Sequence, residues 1–293
     1  MKIAQLFREN KTIFSLEIFP PKKTSSINTI YETLDKLNNI NPDFISVTFG
    51  AGGNVAGNAL NNITCEIASI IKNKYNIEAM AHLTCASCSK EDVDLILQQL
   101  KENGIENILA LRGDINPEVQ PQTDFKYASD LVSYIKSTHP EFNISGACYP
   151  EGHIEAPSLE KDIENLKIKV DAGVTSLTTQ LFFDNNLFYD FWEKTRKHNI
   201  NIPIEAGIMP VTNKKQIERM VSMCGASLPS KFVKMIQRYD GNEAALRDAG
   251  IAYAVDQIVD LISNNIPGIH LYTMNNPYVA GKISDAVKNL RQV

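Results

Sequence analysis

The sequence predicts a (β/α)8 barrel with extra helices between the seventh helix and the eighth strand. Two observations carry that reading. Eight strand-like segments alternate with helix-like ones and no hairpin signal falls between them, which calls for parallel pairing. Eight such units in 293 residues come close to the ~250 residues typical of the barrel class. A doubly wound open sheet is the alternative. It lacks sequence support, because no Gly-x-Gly-x-x-Gly occurs and Gly50-Ala51-Gly52-Gly53 misses that spacing and reads as a βα loop.

The first strand contains Ser15-Leu16-Glu17-Ile18-Phe19 and stops at Pro20-Pro21, since proline cannot donate to a ladder and restricts the residue before it. Ile27, Ile30, Leu34 and Leu37 then recur at helical spacing behind Ser25 or Ser26 as cap. Further strands are expected at residues 43–49, Glu78–Thr84, 107–112, 143–149, 176–183, 202–209 and 268–274. Ile63, Ile67, Ile70 and Ile71 mark the second helix. Ser89, with Asp92 three residues on, opens the third, which carries Val93, Ile96, Leu97 and Leu100. A loop containing Pro117 and Pro121 precedes a helix over about 129–137, and others follow over about 158–171, 187–197 and 214–223. Residues 224–267 hold extra helices, including one over about Glu243–Ser263, and the last helix begins near Pro277.

Composition excludes several classes. A net charge of −5 gives no basic footprint for nucleic acid, and no run approaches the ~20 apolar residues of a membrane span. The first eleven residues include Lys2, Arg8, Glu9 and Lys11 without an apolar stretch, so they are no secretory signal. A soluble cytoplasmic protein is expected. Five cysteines make an odd count, against a disulfide framework. Cys85-Ala86-Ser87-Cys88 follows His82, but no second Cys/His pair stands at finger-like spacing. Reduced structural thiols are therefore expected, and no metal site.

Alternation along each strand collects polar residues at one end. Phe14, Leu16 and Ile18 oppose Ile13, Ser15, Glu17 and Phe19; Ile45, Val47 and Phe49 oppose Ser46 and Thr48. Met80, His82 and Thr84 share a face, as do Ser145, Ala147 and Tyr149, then Ser176, Thr178 and Gln180, and finally His270 and Tyr272. In the fourth strand Leu109 and Leu111 oppose Ile108, Ala110, Arg112 and Asp114. Barrel active sites sit at the C-terminal rim, so Glu17, Thr48, His82, Asp114, Tyr149, Gln180 and Tyr272 would meet at one mouth. Two carboxylates there suit proton transfer without naming a reaction. Glu205, inside the seventh strand, is either a second rim carboxylate or simply paired.

A series of motifs runs in order through nearly the whole sequence. It includes Leu16-Glu17-Ile18-Phe19-Pro20-Pro21, Ala81-His82-Leu83-Thr84-Cys85, Leu111-Arg112-Gly113-Asp114, Tyr149-Pro150-Glu151-Gly152-His153, Gln180-Leu181-Phe182-Phe183-Asp184 and Tyr272-Thr273-Met274-Asn275. In these motifs the chain resembles methylenetetrahydrofolate reductase, in its bacterial single-domain form. The resemblance implies one barrel domain over 1–293 that binds FAD and reduces 5,10-methylenetetrahydrofolate to 5-methyltetrahydrofolate with NADH or NADPH. It implies a homo-oligomer as well. Glu17 matches the general acid that helps open the imidazolidine ring, and Asp114 the carboxylate that steadies the iminium and tunes the flavin. Thr48, His82, Arg112, Gly113, Asp114, Tyr127, Ala128, Ala147, Tyr149, His153, Asp162, Asn165 and Lys169 match the FAD site. Gln180, Gln216, Met220, Tyr272, Met274 and Asn276 match positions that contact substrate.

Three positions depart from the family pattern. Ile168 stands where an arginine often meets the FAD phosphates, Met220 replaces a stacking phenylalanine, and Asn276 replaces an arginine for the folate glutamate. They leave room for a rival reading, a flavin- or folate-binding barrel that turns over only inside a larger redox complex.

Overall fold

The computed structural model describes residues 1–8, 11–21, 28–49, 62–114 and 123–292. Eight parallel strands close into a barrel in sequence order, with the last returning to the first. They are β1 (Ile13–Ile18), β2 (Phe44–Val47), β3 (Glu78–Thr84), β4 (Asn107–Leu111), β5 (Asn143–Cys148), β6 (Ser176–Thr179), β7 (Ile204–Ile208) and β8 (Gly268–Tyr272). The surrounding helices are α1 (Asn28–Asn38), α2 (Ile63–Tyr75), α3 (Lys90–Glu102), α4 (Ala128–Thr138), α5 (Leu159–Asp171), α6 (Asn185–Lys197), α7 (Lys214–Cys224), α8 (Ser230–Tyr239), α9 (Glu243–Ser263) and α10 (Pro277–Val287). The extra helices expected before the eighth strand are α8 and α9. The cap at Ser25 or Ser26, Gly50–Gly53 and the loop with Pro117 and Pro121 lie outside the described residues.

Alternation along the strands explains the layering. Leu16, Ile18, Val47, Leu83, Ile108, Ile144, Leu177, Ile208 and Leu271 point outward and join one buried cluster with Leu34, Ile67, Leu97, Leu131 and Ile283 of the helices. Burial of each such side chain contributes ~1.5–3 kcal/mol, so this outer layer holds the fold together. Inward positions are then available to polar side chains, and Ser15, Glu17, His82, Ser145, Thr178, Glu205 and His270 occupy them in nearly complete burial.

The N-terminal end of the barrel is plugged. A 3-10 helix, Ile3–Arg8, sets Ile3 and Leu6 against Ile13, Phe44, Met80 and Leu109. The Ile3 N–H donates to Asn107 Oδ1 at 2.8 Å, and the terminal ammonium meets Glu78 at 2.9 Å and Glu106 at 2.5 Å. Nothing in the hydropathy pattern announces this plug.

Two expectations need correction. Most strands are shorter at the C-terminal end than their alternation suggests; the sixth ends at Thr179 rather than 183 and the eighth at Tyr272 rather than 274. The residues beyond keep a strand-like pattern but turn into the mouth. The fourth strand also faces the other way from the sequence reading. Leu109 and Leu111 point inward and border the cavity, while Ile108 and Ala110 pack under the helices. Arg112 and Asp114 still reach the mouth, because the strand has ended and Gly113, at φ +84°, turns the chain. A Cβ on Gly113 would lie 2.9 Å from Thr84 Cβ. Period-two extrapolation fails across such a turn.

Candidate active site

A cavity of about 630 Å³ opens at the C-terminal mouth, a size suited to a cofactor or a drug-sized ligand. Of the residues picked out in the sequence, Glu17, Thr48, His82, Arg112, Gly113, Asp114, Ala147, Tyr149, His153, Gln180, Met220, Tyr272 and Met274 line it. Phe19 and Thr84, which alternation places on the faces of Glu17 and His82, line it as well, and so do Thr179, Leu181 and Met209, which the sequence does not single out as site residues.

The remaining candidates do not line the cavity. Lys169, on α5, donates to the Ala147 carbonyl behind β5, and burial holds its amine below the usual lysine range. The carboxylate of Asp162 accepts from the His153 N–H at 3.1 Å, and Asn165 lies one turn further along α5. Tyr127 and Ala128 stand at the start of α4, where Tyr127 is half exposed. Gln216 lies in the first turn of α7. Asn276 caps α10, its Oδ1 accepting from the Val279 N–H at 3.2 Å, so of its carboxamide the NH2 remains as a donor.

Glu17 is held by its backbone. Its carbonyl accepts from the Thr273 N–H at 3.3 Å and the Thr273 hydroxyl at 2.6 Å. Asn275, in left-handed conformation at φ 54°, clamps the next residue but one, accepting from the Phe19 N–H and donating to the Phe19 carbonyl, both at 2.9 Å. The Glu17 carboxylate then faces His82 and His270, whose Nε2 atoms each lie 3.5 Å from Oε2. The His82 contact falls short of hydrogen-bond geometry, and His82 Nε2 and Thr84 Oγ1 are both buried with no partner.

Below Glu17, in the barrel interior, sits a second carboxyl. Glu205 accepts from the hydroxyls of Ser15 at 2.9 Å and Thr178 at 3.3 Å. It is therefore a bonded interior group and not a rim carboxylate. Its nearest partner lies 190 residues away in the chain, beyond any pattern a sequence offers.

Burial pushes the Glu205 carboxyl up to about 7, against the opposing pull of His270 and the two hydroxyls. Burial likewise drives the His82 imidazole down to about 4, with the Glu17 charge opposing. The two shifts affect stability with opposite signs. Glu205, raised in the folded state, favours folding below pH 4.5 and loses that contribution as pH rises through 7. His82, depressed, favours folding above pH 6.5 and loses that contribution as pH falls through 4. Each is worth roughly 3 kcal/mol at most. In urea denaturation, Glu205→Gln should therefore gain on the parent progressively between pH 5 and 8. A pH-independent difference would show that Glu205 is ionised normally.

The thiols of the C-x-x-C are buried, and burial pushes both up to about 12. Cys88 Sγ donates to the Thr84 carbonyl at 3.0 Å. Thiols so protonated are poor nucleophiles and poor ligands. No helix among the described residues is long and apolar enough to cross a membrane.

The rim offers further handles. The Arg112 guanidinium makes a bidentate pair with Glu155 at 2.6 and 2.8 Å. Tyr149 stacks edge-on against His153 at 4.8 Å, and burial pushes its phenol up to about 12. Gln180 accepts the Leu181 N–H at 2.9 Å on its Oε1, which leaves its NH2 as a donor. Leu181, Met209, Met220 and Met274 belong to one apolar cluster, a wall suited to flat rings. The Tyr272 hydroxyl donates to the Thr179 carbonyl at 2.6 Å over Gly207, where a Cβ would lie 2.3 Å from that same oxygen.

The chain is similar to known proteins along most of its length. A family model described as methylenetetrahydrofolate reductase matches residues 2–288. Methylenetetrahydrofolate reductase (NADH) 1 of Arabidopsis thaliana is 37% identical over 288 residues, covering 94% of this chain and 48% of its own length. The chain thus spans about half the length of that plant relative. The 5,10-methylenetetrahydrofolate reductase of Escherichia coli (strain K12) is 35% identical over 262 residues, 89% of this chain and 86% of that one. Among solved structures, a Clostridium thermocellum protein described as binding two copies of 5-methyl-5,6,7,8-tetrahydrofolic acid superposes over the full length of both chains with a TM-score of 0.65. At 14% identity that likeness speaks for the fold alone. On the family match and the bacterial relatives together, the chain belongs to the methylenetetrahydrofolate reductase family.

Proposed function

We propose that this chain reduces 5,10-methylenetetrahydrofolate to 5-methyltetrahydrofolate, with FAD as bound cofactor and NADH or NADPH as hydride donor. The observation that carries the reading is the meeting of Glu17, Asp114 and the unpartnered His82 Nε2 and Thr84 Oγ1 around one half-apolar cavity. Two buried polar atoms without partners are costly unless a ligand satisfies them, and an isoalloxazine edge offers ring nitrogens and carbonyls to do so. Bound there, FAD would supply two-electron storage between the nicotinamide and the folate.

The remaining work falls to the chain. Glu17, deep in the mouth, would deliver a proton to the amine that leaves as the imidazolidine ring opens. Asp114, at the turn after β4, would place a fixed negative charge beside the cation so formed. Gln180 would donate its NH2 to the pterin, and the methionine-rich wall would press the rings together while excluding water. Arg112 and His153 would meet the cofactor at the rim. Tyr127, Ala128, Asp162, Asn165 and Lys169 lie along the α4–α5 side, where a long cofactor tail would run.

The absorbance spectrum of the purified chain tests this. A yellow protein that releases FAD on heating, oxidises NADH or NADPH, and turns over methylenetetrahydrofolate unaided is the expected result. FMN or a colourless protein after reconstitution would overturn the cofactor. Nicotinamide oxidation with an artificial acceptor but no folate turnover would favour the rival reading, a subunit that works only within a redox complex.

A further inference from the structure

The barrel interior holds a carboxyl that the reaction above does not use. Glu205 on β7 reaches the Ser15 hydroxyl on β1 across the intervening strand β8. It can do so because its β8 neighbour in the ladder is Gly268, where a Cβ would stand 2.8 Å from Glu205 Cγ. Ser15 pairs with His270 in the β1–β8 register, and its Oγ lies 2.6 Å from His270 Nδ1. His270 Nε2 in turn faces Glu17 Oε2 at 3.5 Å. Four buried groups thus form one line, Glu205–Ser15–His270–Glu17, running from the barrel interior to the mouth.

A serine hydroxyl has one proton, so it donates either to Glu205 or to His270 and not to both. In one arrangement His270 Nδ1–H donates to Ser15 and Ser15 donates to a Glu205 carboxylate. His270 Nε2 is then bare and accepts from a protonated Glu17. In the other, a protonated Glu205 donates to Ser15, Ser15 donates to Nδ1, and Nε2–H donates to a Glu17 carboxylate. The two differ by a concerted shift of three protons, whose net result is one proton moved between the carboxyls with no charge left on the imidazole.

We propose that Glu205 is a positioning residue for Glu17. The two carboxyls share one proton along the Ser15–His270 line, the negative charge of Glu205 holds that proton available at Glu17, and once Glu17 has given it to substrate the pair takes up its replacement from solvent. This rests on the reading of Glu17 as the acid of the reaction. The ionisable groups around the line are few. His82 on β3 and Tyr272 on β8 face Glu17, and Asp43, just before β2, acts on Glu205 from a distance while paired with Lys11 at 3.0 Å. The inward residues Leu109, Ser145 and Thr178 of β4, β5 and β6 carry no charge. The 3.5 Å step is long for proton transfer, and such contacts tighten when substrate closes the site.

Glu205→Gln and Glu205→Leu test it. Removing a buried negative charge makes it easier for Glu17 to lose its proton, so the high-pH limb of folate reduction should move down by about one pH unit or more. The pH profile of flavin reduction by nicotinamide should stay put. A second readout needs no turnover. With glutamate side chains labelled in carbon-13, the carboxyl signals of Glu17 and Glu205 in the parent should titrate together in two linked steps, and the Glu17 signal in Glu205→Gln in a single step at lower pH. Variants that fold and keep flavin, yet show an unmoved limb or independent titrations in the parent, overturn the relay. A parent that shows linked titration without folate turnover retains the shared proton, and the reading of the reaction falls instead.

Discussion

Glu17→Gln is expected to leave flavin reduction by nicotinamide nearly intact and to slow folate reduction by at least about a hundredfold. The two halves differ in what they ask of the protein. Hydride transfer from nicotinamide requires no proton from a carboxyl, whereas opening the five-membered ring requires one at the leaving amine. Positioned acids contribute ~10²–10⁴ in rate, equivalent to about 3–5 kcal/mol of barrier. Glutamine keeps the shape and a hydrogen bond but has no acidic proton. The substitution should not disturb the fold, because β1 at this point is held through the Glu17 carbonyl by Thr273 and through Phe19 by Asn275. Rapid mixing of each half-reaction with folded, flavin-loaded variant decides the matter. Near-normal folate reduction removes Glu17 from the chemistry; equal damage to both halves makes it a structural group.

The barrel and most of its mouth were legible because strand alternation is a local property. Ser15 and Glu17, His82 and Thr84, Thr178 and Gln180, and His270 and Tyr272 each fall on one face whatever the rest of the chain does, and all line the interior or the cavity. The failures share a cause as well. Alternation says nothing about where the ladder ends, so the pattern runs on past Thr179 and Tyr272, and in β4 through the turn at Gly113, where the strands have already stopped. Asn276, a substrate-contact candidate by motif, is also the cap of α10, a second role that only the helix start at Pro277 reveals. Glu205 could be noticed as a carboxylate in a strand, but its role depends on Ser15, 190 residues away. The same holds for the plug at Ile3 and Leu6, whose partners are spread over four strands.

Gly250 is the position where local preference and tertiary packing disagree most sharply. It lies inside the 21-residue helix α9, where glycine costs about 1 kcal/mol relative to alanine. From the sequence alone, Gly250→Ala should stabilise. In the structure, a Cβ at that position would stand 1.7 Å from the Val211 carbonyl oxygen and 2.7 Å from its carbon. Both are backbone atoms, so no rotamer change relieves the clash. Either α9 or the segment after β7 must shift by more than an ångström, and Val211 is buried in the same apolar cluster as Leu181 and Met209 of the cavity wall. Overpacking of this kind costs about 1–3 kcal/mol and more when backbone must move, which exceeds the gain in helix preference. Gly250→Ala should therefore lower stability by about 2–4 kcal/mol, a fall in Tm of roughly 3–7 °C for a chain of 293 residues. Thermal denaturation followed by circular dichroism measures it. A Tm equal to or above that of the parent would show that α9 slides freely over Val211 and that the contact does not constrain the cavity wall.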